Sequence, residues 1–558
     1  MKLKNLFALN LMAATLAACG GGDINVNPSN TVTGSNNTTN TNNAPVAVVN
    51  PCAKYIKDGQ EFQGILNGKN CTYAATFASS SNQVTVNLFI PELADNGVHL
   101  FQGALFIGED VDSNAALQGK HILQEGEGPT LTVAAGAKIA FERGEDYLRI
   151  ARGSKIVAEG TVAKPIIFSG KKDLIDNAAT IADRGLWGGI QMNGNGITNK
   201  CTDAQRLATG NNVHGCHITS EGLPGTYGGA NNAESSGTLK YVQIKHAGYK
   251  VVEGNELNAL TLNGVGSKTT IDYVQAYSAQ DDGFEWFGGA VSAKHLVAVG
   301  TSDDSFDFTD GYQGNIQFAL SVHPDGVGGN NCIEADNTGT GRADDVTPLT
   351  KLRISNLTCV TNNLAKNAGT TPSPDGDSSG LLIREGMFIE LYNSVVTSNQ
   401  TGMSSKTLFN FHDTEGPQTI KGAIDGWTVA RSNVFAGTAG VTATKIDPTN
   451  AAFVVATWFA TAPNTDNTIV TGTGLAANLL KDLLTNDKAY LTLAPLTDAA
   501  SGTINAPIYN VSMLSNSFTA GAVAATGAAG SSNFFVNPTH IGAASETNDW
   551  VSGWTVGL

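Results

Sequence analysis

Two acidic phrases carry the residues of this sequence that are best suited to chemistry. Asp281 opens the phrase DDGFEWFGG, and Asp303 opens DDSFDFTDG 22 positions later. A period near twenty residues is typical of a solenoid, whose successive coils lie about 4.8 Å apart. The repeat therefore predicts that carboxylates of one phrase lie against those of the next. Stacked carboxylates bind a cation, take up protons or stay in water.

Three interpretations of these acids stay open. In the first they bind Ca²⁺, the one cofactor that the sequence suggests, because hard cations take carboxylate oxygens. In the second, two of them form a catalytic pair for glycoside cleavage, which requires a separation of about 5 to 9.5 Å. In the third they are turn residues whose side chains accept backbone N–H groups. The candidate metal ligands are Asp281, Asp282, Asp303, Asp304 and Asp310.

Aromatic residues alternate with the acids in both phrases. Since neighbouring residues of a strand point to opposite faces, one set lies inside the coil and the other outside. We predict an internal stack of Phe284 on Phe306. We predict that Trp286 and Phe308 point outward, where aromatic rings beside carboxylates suit a sugar ring. The candidate ligand face is Glu285, Trp286, Asp307 and Phe308.

The elements that must position these side chains are short β-strands. Val274, Leu296 and Phe318 share the register of the acidic repeat, and apolar runs such as Tyr147–Ile150 and Pro165–Phe168 lie between glycines. With 64 Gly and 15% charged residues, the composition opposes an all-helical repeat. The sequence therefore predicts an all-β solenoid, whose open end must be covered by a cap.

Composition divides the chain into five segments. We expect the last of them to pack on the side of the solenoid, with Trp550 and Trp554 buried there. The predicted segments are 1–18, a lipoprotein signal peptide; 19–50, a lipidated cysteine and a disordered Asn/Thr/Ser tether; 51–115, an N-terminal cap; 116–440, the solenoid; and 441–558, a C-terminal extension of mixed structure.

The N-terminus predicts export. Lys2 and Lys4 precede an apolar run that ends at Ala18, and Cys19 follows it. This is the pattern of a signal peptide, too short for a permanent membrane anchor. The tetrad Leu-Ala-Ala-Cys resembles the bacterial lipoprotein cleavage box, which implies that Cys19 is acylated and that outer-membrane lipid is a partner. Gly20 in place of Asp implies sorting to the outer membrane. The alternative is an ordinary secretory signal with an incidental cysteine.

Six cysteines remain after Cys19, and their even number in an exported chain predicts disulfides. Six cysteines allow 15 pairings. The close spacing of successive cysteines makes neighbour-to-neighbour pairing the simplest, and no CxxC pattern supports a metal site instead. The predicted pairs are Cys52–Cys71, Cys201–Cys216 and Cys332–Cys359.

Several runs together resemble a family of uncharacterised bacterial surface lipoproteins. They are GTLKYVQIKHAG from Gly237, NELNALTLNGVG from Asn255, the two acidic phrases and the final Trp-x-x-Gly-Trp. The resemblance covers about residues 120 to 558. It implies a right-handed parallel β-helix of pectin-lyase-like architecture and a cell-surface address, but no reaction, since one fold serves many functions.

Two functions remain. The first is a lipid-anchored surface protein of the outer membrane, acting in adhesion or surface structure by binding a glycan or a protein. The alternative is a polysaccharide lyase or glycoside hydrolase. The absence of a GxSxG, Walker or HExxH motif, and of a distinctive catalytic base, favours binding. A net charge of −16 without a basic cluster excludes nucleic acid as a partner.

Overall fold

The computed structural model describes the unit from Asn50 to Leu558. The predicted signal peptide, Cys19 and nearly all of the tether lie outside the described residues. None of the helices in the described part is long and apolar enough to cross a membrane. The described ranges are 50–111, 121–207, 214–223, 225–252, 254–324, 329–339, 341–361, 379–398, 407–413, 415–437, 440–471, 496–498, 502–504, 507–514, 534–545 and 548–558.

Regular structure in these ranges is mostly short β-strand, because apolar runs are interrupted every few residues by Gly, Asn or Asp. The strands before the acidic phrases are β1 (Lys54–Lys57), β2 (Gln60–Gln63), β3 (Ile65–Asn67), β4 (Asn70–Tyr73), β5 (Leu88–Ile90), β6 (His99–Phe101), β7 (Leu105–Ile107), β8 (Thr130–Val133), β9 (Lys138–Phe141), β10 (Leu148–Ile150), β11 (Lys155–Glu159), β12 (Ile166–Gly170), β13 (Ile190–Asn193), β14 (Ile218–Thr219), β15 (Thr226–Tyr227), β16 (Gly237–Lys245), β17 (Lys250–Val252), β18 (Asn255–Glu256), β19 (Leu260–Asn263) and β20 (Thr270–Tyr277).

The later strands continue the same pattern, and four short α-helices lie between strands in the described ranges. The strands are β21 (Phe284–Phe287), β22 (Ala293–Val299), β23 (Phe306–Thr309), β24 (Gln313–Val322), β25 (Ile333–Ala335), β26 (Lys351–Thr361), β27 (Ser379–Ile383), β28 (Phe388–Tyr392), β29 (Val395–Ser398), β30 (Thr407–His412), β31 (Val429–Arg431), β32 (Val434–Gly437), β33 (Val441–Thr444), β34 (Thr468–Thr471), β35 (Leu496–Asp498) and β36 (Gly502–Ile504). The helices are α1 (Lys171–Leu174), α2 (Asp203–Arg206), α3 (Gln418–Ile424) and α4 (Val455–Ala460).

The strands build the predicted parallel β-helix. One sheet, here called the front sheet, has ten strands in the order β33-β30-β27-β25-β23-β21-β19-β13-β10-β7, and all of its pairings are parallel. The other strands of the coils lie in a second, 18-stranded sheet. Each coil therefore contributes one strand to the front sheet, and residues in register form rows along the axis.

The interior of the coil holds the aromatic residues of both phrases. Phe284 stacks on Phe306 at 5.4 Å between ring centroids, and Trp286 stacks on Phe308 at 4.4 Å. Trp286 and Phe308 have no exposed surface. The prediction that these two rings face outward is wrong, because residues two apart on a strand point to the same face. Glu285 and Asp307 do point away from the core.

The long strands of the second sheet bend at one corner. Tyr241, Tyr273, His295 and Phe318 adopt positive φ angles of 50°, 55°, 50° and 63° there. Their rings stack in sequence with centroid distances of 4.3, 4.1 and 5.1 Å, and we call this stack the aromatic ladder. Two tryptophans near the C-terminus, Trp550 and Trp554, cover the ladder with their rings steeply inclined to the ladder rings, and both are almost fully buried.

Three disulfides close the chain locally. Their pairings, which the spacing predicted, are confirmed: Cys52–Cys71, Cys201–Cys216 and Cys332–Cys359.

Candidate functional site

A row of acids lies on the outer face of the front sheet. Glu285 of β21, Asp307 of β23 and Glu334 of β25 are register partners on three consecutive coils. Because parallel neighbours lie about 4.8 Å apart, each carboxylate meets another of the same charge. We call these three residues the acidic row.

A second set of side chains links the turns that precede these strands. Asp282 Oδ1 accepts the backbone N–H of Asp304 at 2.9 Å, and Asp304 Oδ1 accepts that of Asn331 at 2.7 Å. In the same way, Asn258 Oδ1 on the preceding coil accepts the backbone N–H of Asp282, and Asn331 Oδ1 accepts that of Ser379 on the following coil. This Asx ladder (Asn258, Asp282, Asp304, Asn331) means that the turn interpretation describes Asp282 and Asp304.

Two groups of carboxylates could hold a cation. One comprises Asp281, Asp282 and Asp303; the other comprises Asp282, Glu285 and Asp307. Within each group the ligand oxygens lie within 4.8 Å of one another. Asp282 belongs to both groups, so it joins the turn to the acidic row. Asp307 Oδ1 is buried and accepts no hydrogen bond from the part of the chain that the structure describes.

The other two predicted metal ligands are not in either group. Asp304 Oδ1 is directed along the Asx ladder. Asp310 lies beyond the far end of β23, where it pairs with Lys200 Nζ at 2.6 Å and accepts the Tyr227 hydroxyl at 3.3 Å. The length of the strand therefore separates Asp310 from Asp303, so the structure brings together Asp281, Asp282 and Asp303 of the five candidate ligands.

Burial and mutual repulsion make these acids weak. Burial raises the pKa of Glu285, Asp304 and Asp307 well above their ordinary values, and neighbouring carboxylates add to the effect. Burial, with the nearby Asp281, also raises the pKa of Glu221 to about 8. Removing a proton from this cluster therefore requires a compensating positive charge.

Glu221 was not predicted from the sequence. It lies in the loop after the Cys201–Cys216 disulfide, and Gln191 Nε2 donates to its carbonyl at 2.9 Å. Asn258 Nδ2 approaches its carboxylate at 3.4 Å. Because Glu221 lies in a loop that is not repeated from coil to coil, the periodic pattern of the sequence does not reveal it.

Glu334 was also missed. Asn331 follows Asp304 by 27 residues rather than 22, because residues are inserted between the coils, and this hides the alignment of Glu334 with Asp307. Arg384 forms ion pairs with Glu334 and with Asp336, the latter at 3.6 Å. Arg384 thus neutralises one end of the acidic row.

The raised pKa values predict a pH-dependent stability. In the presence of a chelator, we expect the melting temperature to fall as the pH rises from about 5 to about 8. The folded state keeps the Glu221 proton over this window, while the unfolded state releases it near its ordinary value of 4.5, so stability is lost as pH rises. Thermal melts at each pH measure the slope.

The matched control is Glu221→Gln. It should remove the part of the slope that comes from Glu221 and leave the parts from the other acids of the site and from Glu234, whose pKa burial raises to about 7. An unchanged slope in Glu221→Gln would contradict the assignment.

Comparison with known proteins identifies the scaffold. A family model for the pectate-lyase-like β-helix domain matches residues 109–415, a range that contains the acidic row, the Asx ladder and both carboxylate groups. Searches of curated proteins and of solved structures found no match. The family model covers more than half of the 558 residues, and the parallel pairing of the front sheet agrees with it. The chain therefore belongs to the family of pectate-lyase-like β-helix domains.

Proposed function

We propose that this chain is a surface binding protein that uses a divalent cation, with Ca²⁺ as the expected ion, to engage a glycan or another surface ligand. Cys19, once acylated, would anchor it in the outer membrane. The observation that carries the proposal is the pair of carboxylate groups that share Asp282. A cation there would be held by Asp281, Asp282 and Asp303, or by Asp282, Glu285 and Asp307.

The donor chemistry fits a hard cation. All five side chains offer carboxylate oxygens, which Ca²⁺ takes in sets of six to eight together with carbonyls and water. The buried Asp307 Oδ1, which accepts no hydrogen bond from the described residues, supplies a further reason for a positive partner. A bound cation would also offset the repulsion that raises the pKa of Glu285 and Asp307.

Binding rather than lyase chemistry is supported by the state of Arg384. A lyase needs a base that can take a proton from the sugar ring. Arg384 directly follows β27, and its guanidinium forms ion pairs with Glu334 of the acidic row and with Asp336. Burial alone would lower the pKa of Arg384, but those two acids and Glu385 outweigh it and raise the pKa above its ordinary value. A guanidinium held in this way stays protonated and serves as a fixed positive charge.

The proposal is tested by melting the chain with and without Ca²⁺. We expect Ca²⁺ to raise the melting temperature, because a ligand that binds only the folded state at 100 times its Kd stabilises it by about 2.7 kcal/mol. Isothermal titration calorimetry gives the Kd. Mg²⁺ is the control, since it prefers smaller octahedral sites and should shift the melt less. Absence of both a shift and a binding heat would exclude the cation.

A second candidate function is glycoside hydrolysis. Glu285 and Asp307 lie on adjacent coils, and once one of them is ionised its charge helps the other to keep a proton and act as a general acid. If the chain is an enzyme, incubation with a polysaccharide panel should release reducing ends, and Glu285→Gln should abolish the release. A lyase would instead give unsaturated products that absorb in the ultraviolet. Products from neither assay would leave binding as the function.

A further inference from the structure

The corner that carries the aromatic ladder is covered by the C-terminal part of the chain. We call residues 534–545 and 548–558 the strap. Its contacts reach five consecutive strands of the second sheet, β16, β20, β22, β24 and β26. At about 4.8 Å per coil, the strap spans about 20 Å along the axis.

Glutamine side chains hold the strap by its main chain. Gln275 Nε2 donates to the carbonyl of Val556 at 2.7 Å, and its Oε1 accepts the N–H of Val556 at 2.9 Å. Gln317 makes the same pair of bonds with Val536, at 2.8 and 2.9 Å. Each amide therefore satisfies one donor and one acceptor of a single residue, as a neighbouring strand would.

A third amide extends this arrangement. Asn356 Nδ2 donates to the carbonyls of His540 and Gly542 at 2.9 and 3.1 Å. Thr358 Oγ1 accepts the N–H of Ala543 at 2.8 Å. Since these bonds involve only main-chain atoms of the strap, they do not select its side chains.

Selectivity comes from the strap side chains that are buried at the corner, of which the two tryptophans are the largest. The rings of Trp554 and Tyr241 are nearly perpendicular, with centroids 5.7 Å apart, and the ring of Trp550 is steeply inclined to that of His295, with centroids 4.9 Å apart. Trp554 Nε1 donates to the carbonyl of Trp550 at 2.7 Å, so the strap carries its own turn between the two rings. A ligand of the corner thus needs accessible main-chain groups and two tryptophans four residues apart in a turn.

We infer that this corner is a peptide-binding site and that it accepts the strap of a second copy of the chain in place of its own. The contacts described above are non-covalent, so they form equally well between copies. When a strap is displaced, its two tryptophans and the aromatic ladder are left in water, which favours recapture by any free corner. Reciprocal exchange gives a closed two-fold dimer.

A cleavage experiment tests the site. A protease sequence is inserted within residues 515–533 of the full chain, outside the described ranges, and cut after folding. A fluorescent peptide of residues 534–558 is then added, and anisotropy is followed. We expect exchange into the cut chain and none into the uncut chain. Trp554→Ala in the peptide should weaken binding at least 100-fold, whereas Leu558→Ala, an exposed position, should leave it unchanged.

Substitutions in the solenoid strands, rather than in the peptide, give an independent measure of peptide binding. Gln275→Ala combined with Gln317→Ala should weaken peptide binding at least tenfold, while Gln60→Ala, an exposed glutamine of β2, should have no effect. Circular dichroism of each cut chain verifies that the body stays folded. If the cut chain binds no peptide, or binds it equally well in all variants, the corner is not a peptide-binding site.

Exchange between copies is tested with two tagged forms of the full chain, unfolded together and refolded as a mixture. We expect each tag to retrieve the other, and cutting within residues 515–533 to abolish retrieval, because only the straps would join the two bodies. Trp554→Ala chains should not retrieve each other. No retrieval in the unmodified mixture, or retrieval that survives the cut, would overturn the exchange.

Discussion

Asp282→Asn is expected to weaken Ca²⁺ binding about 100-fold, a loss of about 2.7 kcal/mol of binding free energy. Asp282 is the one residue that both carboxylate groups contain, so the substitution removes a charge from either possible position of the ion. A carboxylate about 4 Å from a divalent ion contributes about 8 kcal/mol at an effective dielectric constant near 20, and the surviving amide oxygen and water return a large part of this. Calorimetric titration of the variant measures the change.

The fold should tolerate this substitution. Asn258 and Asn331 occupy the equivalent positions of the Asx ladder on neighbouring coils, where their amide oxygens accept the same backbone N–H bond. Asp282→Asn keeps that oxygen and loses only the charge. In a chelator, the variant should be at least as stable as the natural chain, because one repulsive charge is gone.

Asp304→Asn is the matched control. It makes the same chemical change one coil away in the same ladder, but Asp304 belongs to neither carboxylate group. We expect its effect on Ca²⁺ affinity to be less than about tenfold, which is the size of a longer-range charge effect. Equal losses in the two variants would show that overall charge, rather than the shared carboxylate, controls binding.

Trp286→Ala is expected to lower the free energy of unfolding by about 3–5 kcal/mol, the usual cost of removing a large buried aromatic side chain. The ring is fully buried, stacks on Phe308 and lies 5.9 Å from Tyr312. Chemical denaturation of the variant and the natural chain measures the difference. An outward ligand-binding Trp286 would give the opposite result, with unchanged stability and lost binding.

Phe287→Ala is the control for Trp286. Phe287 is the next residue of β21 and lies half-buried on the outer face, beneath Lys200. Its removal should cost no more than about half as much, because less surface returns to water. A larger loss from Phe287 than from Trp286 would contradict the assignment of faces.

The coil architecture was predictable because its signal is local and repeated. The 22-residue period keeps Asp282 and Asp304 in register, and the same period brings Glu285 against Asp307. The error over Trp286 did not come from missing information. Phe284 and Trp286 are two residues apart, so the alternation that buries one must bury the other.

The rest of the site depends on contacts that have no period. Glu221 reaches the acids through a loop, and its position follows from bonds to Gln191 and Asn258 that no spacing encodes. The hydrogen bonds that hold the strap also have no period in the sequence. Gln275 hydrogen-bonds to the distant main chain of Val556, but nothing in the sequence distinguishes it from any other glutamine on a strand.

The distance in sequence between the strap and its corner has a consequence for biosynthesis. A polypeptide is made from its N-terminus, so the coils that carry Tyr241 and Tyr273 can form well before Trp550 and Trp554 exist. During that interval the edges of the ladder remain uncovered, and they are apolar surface of the kind that chaperones retain and that drives aggregation. Synthesis of Trp550 and Trp554 therefore ends the stage at which the ladder is exposed.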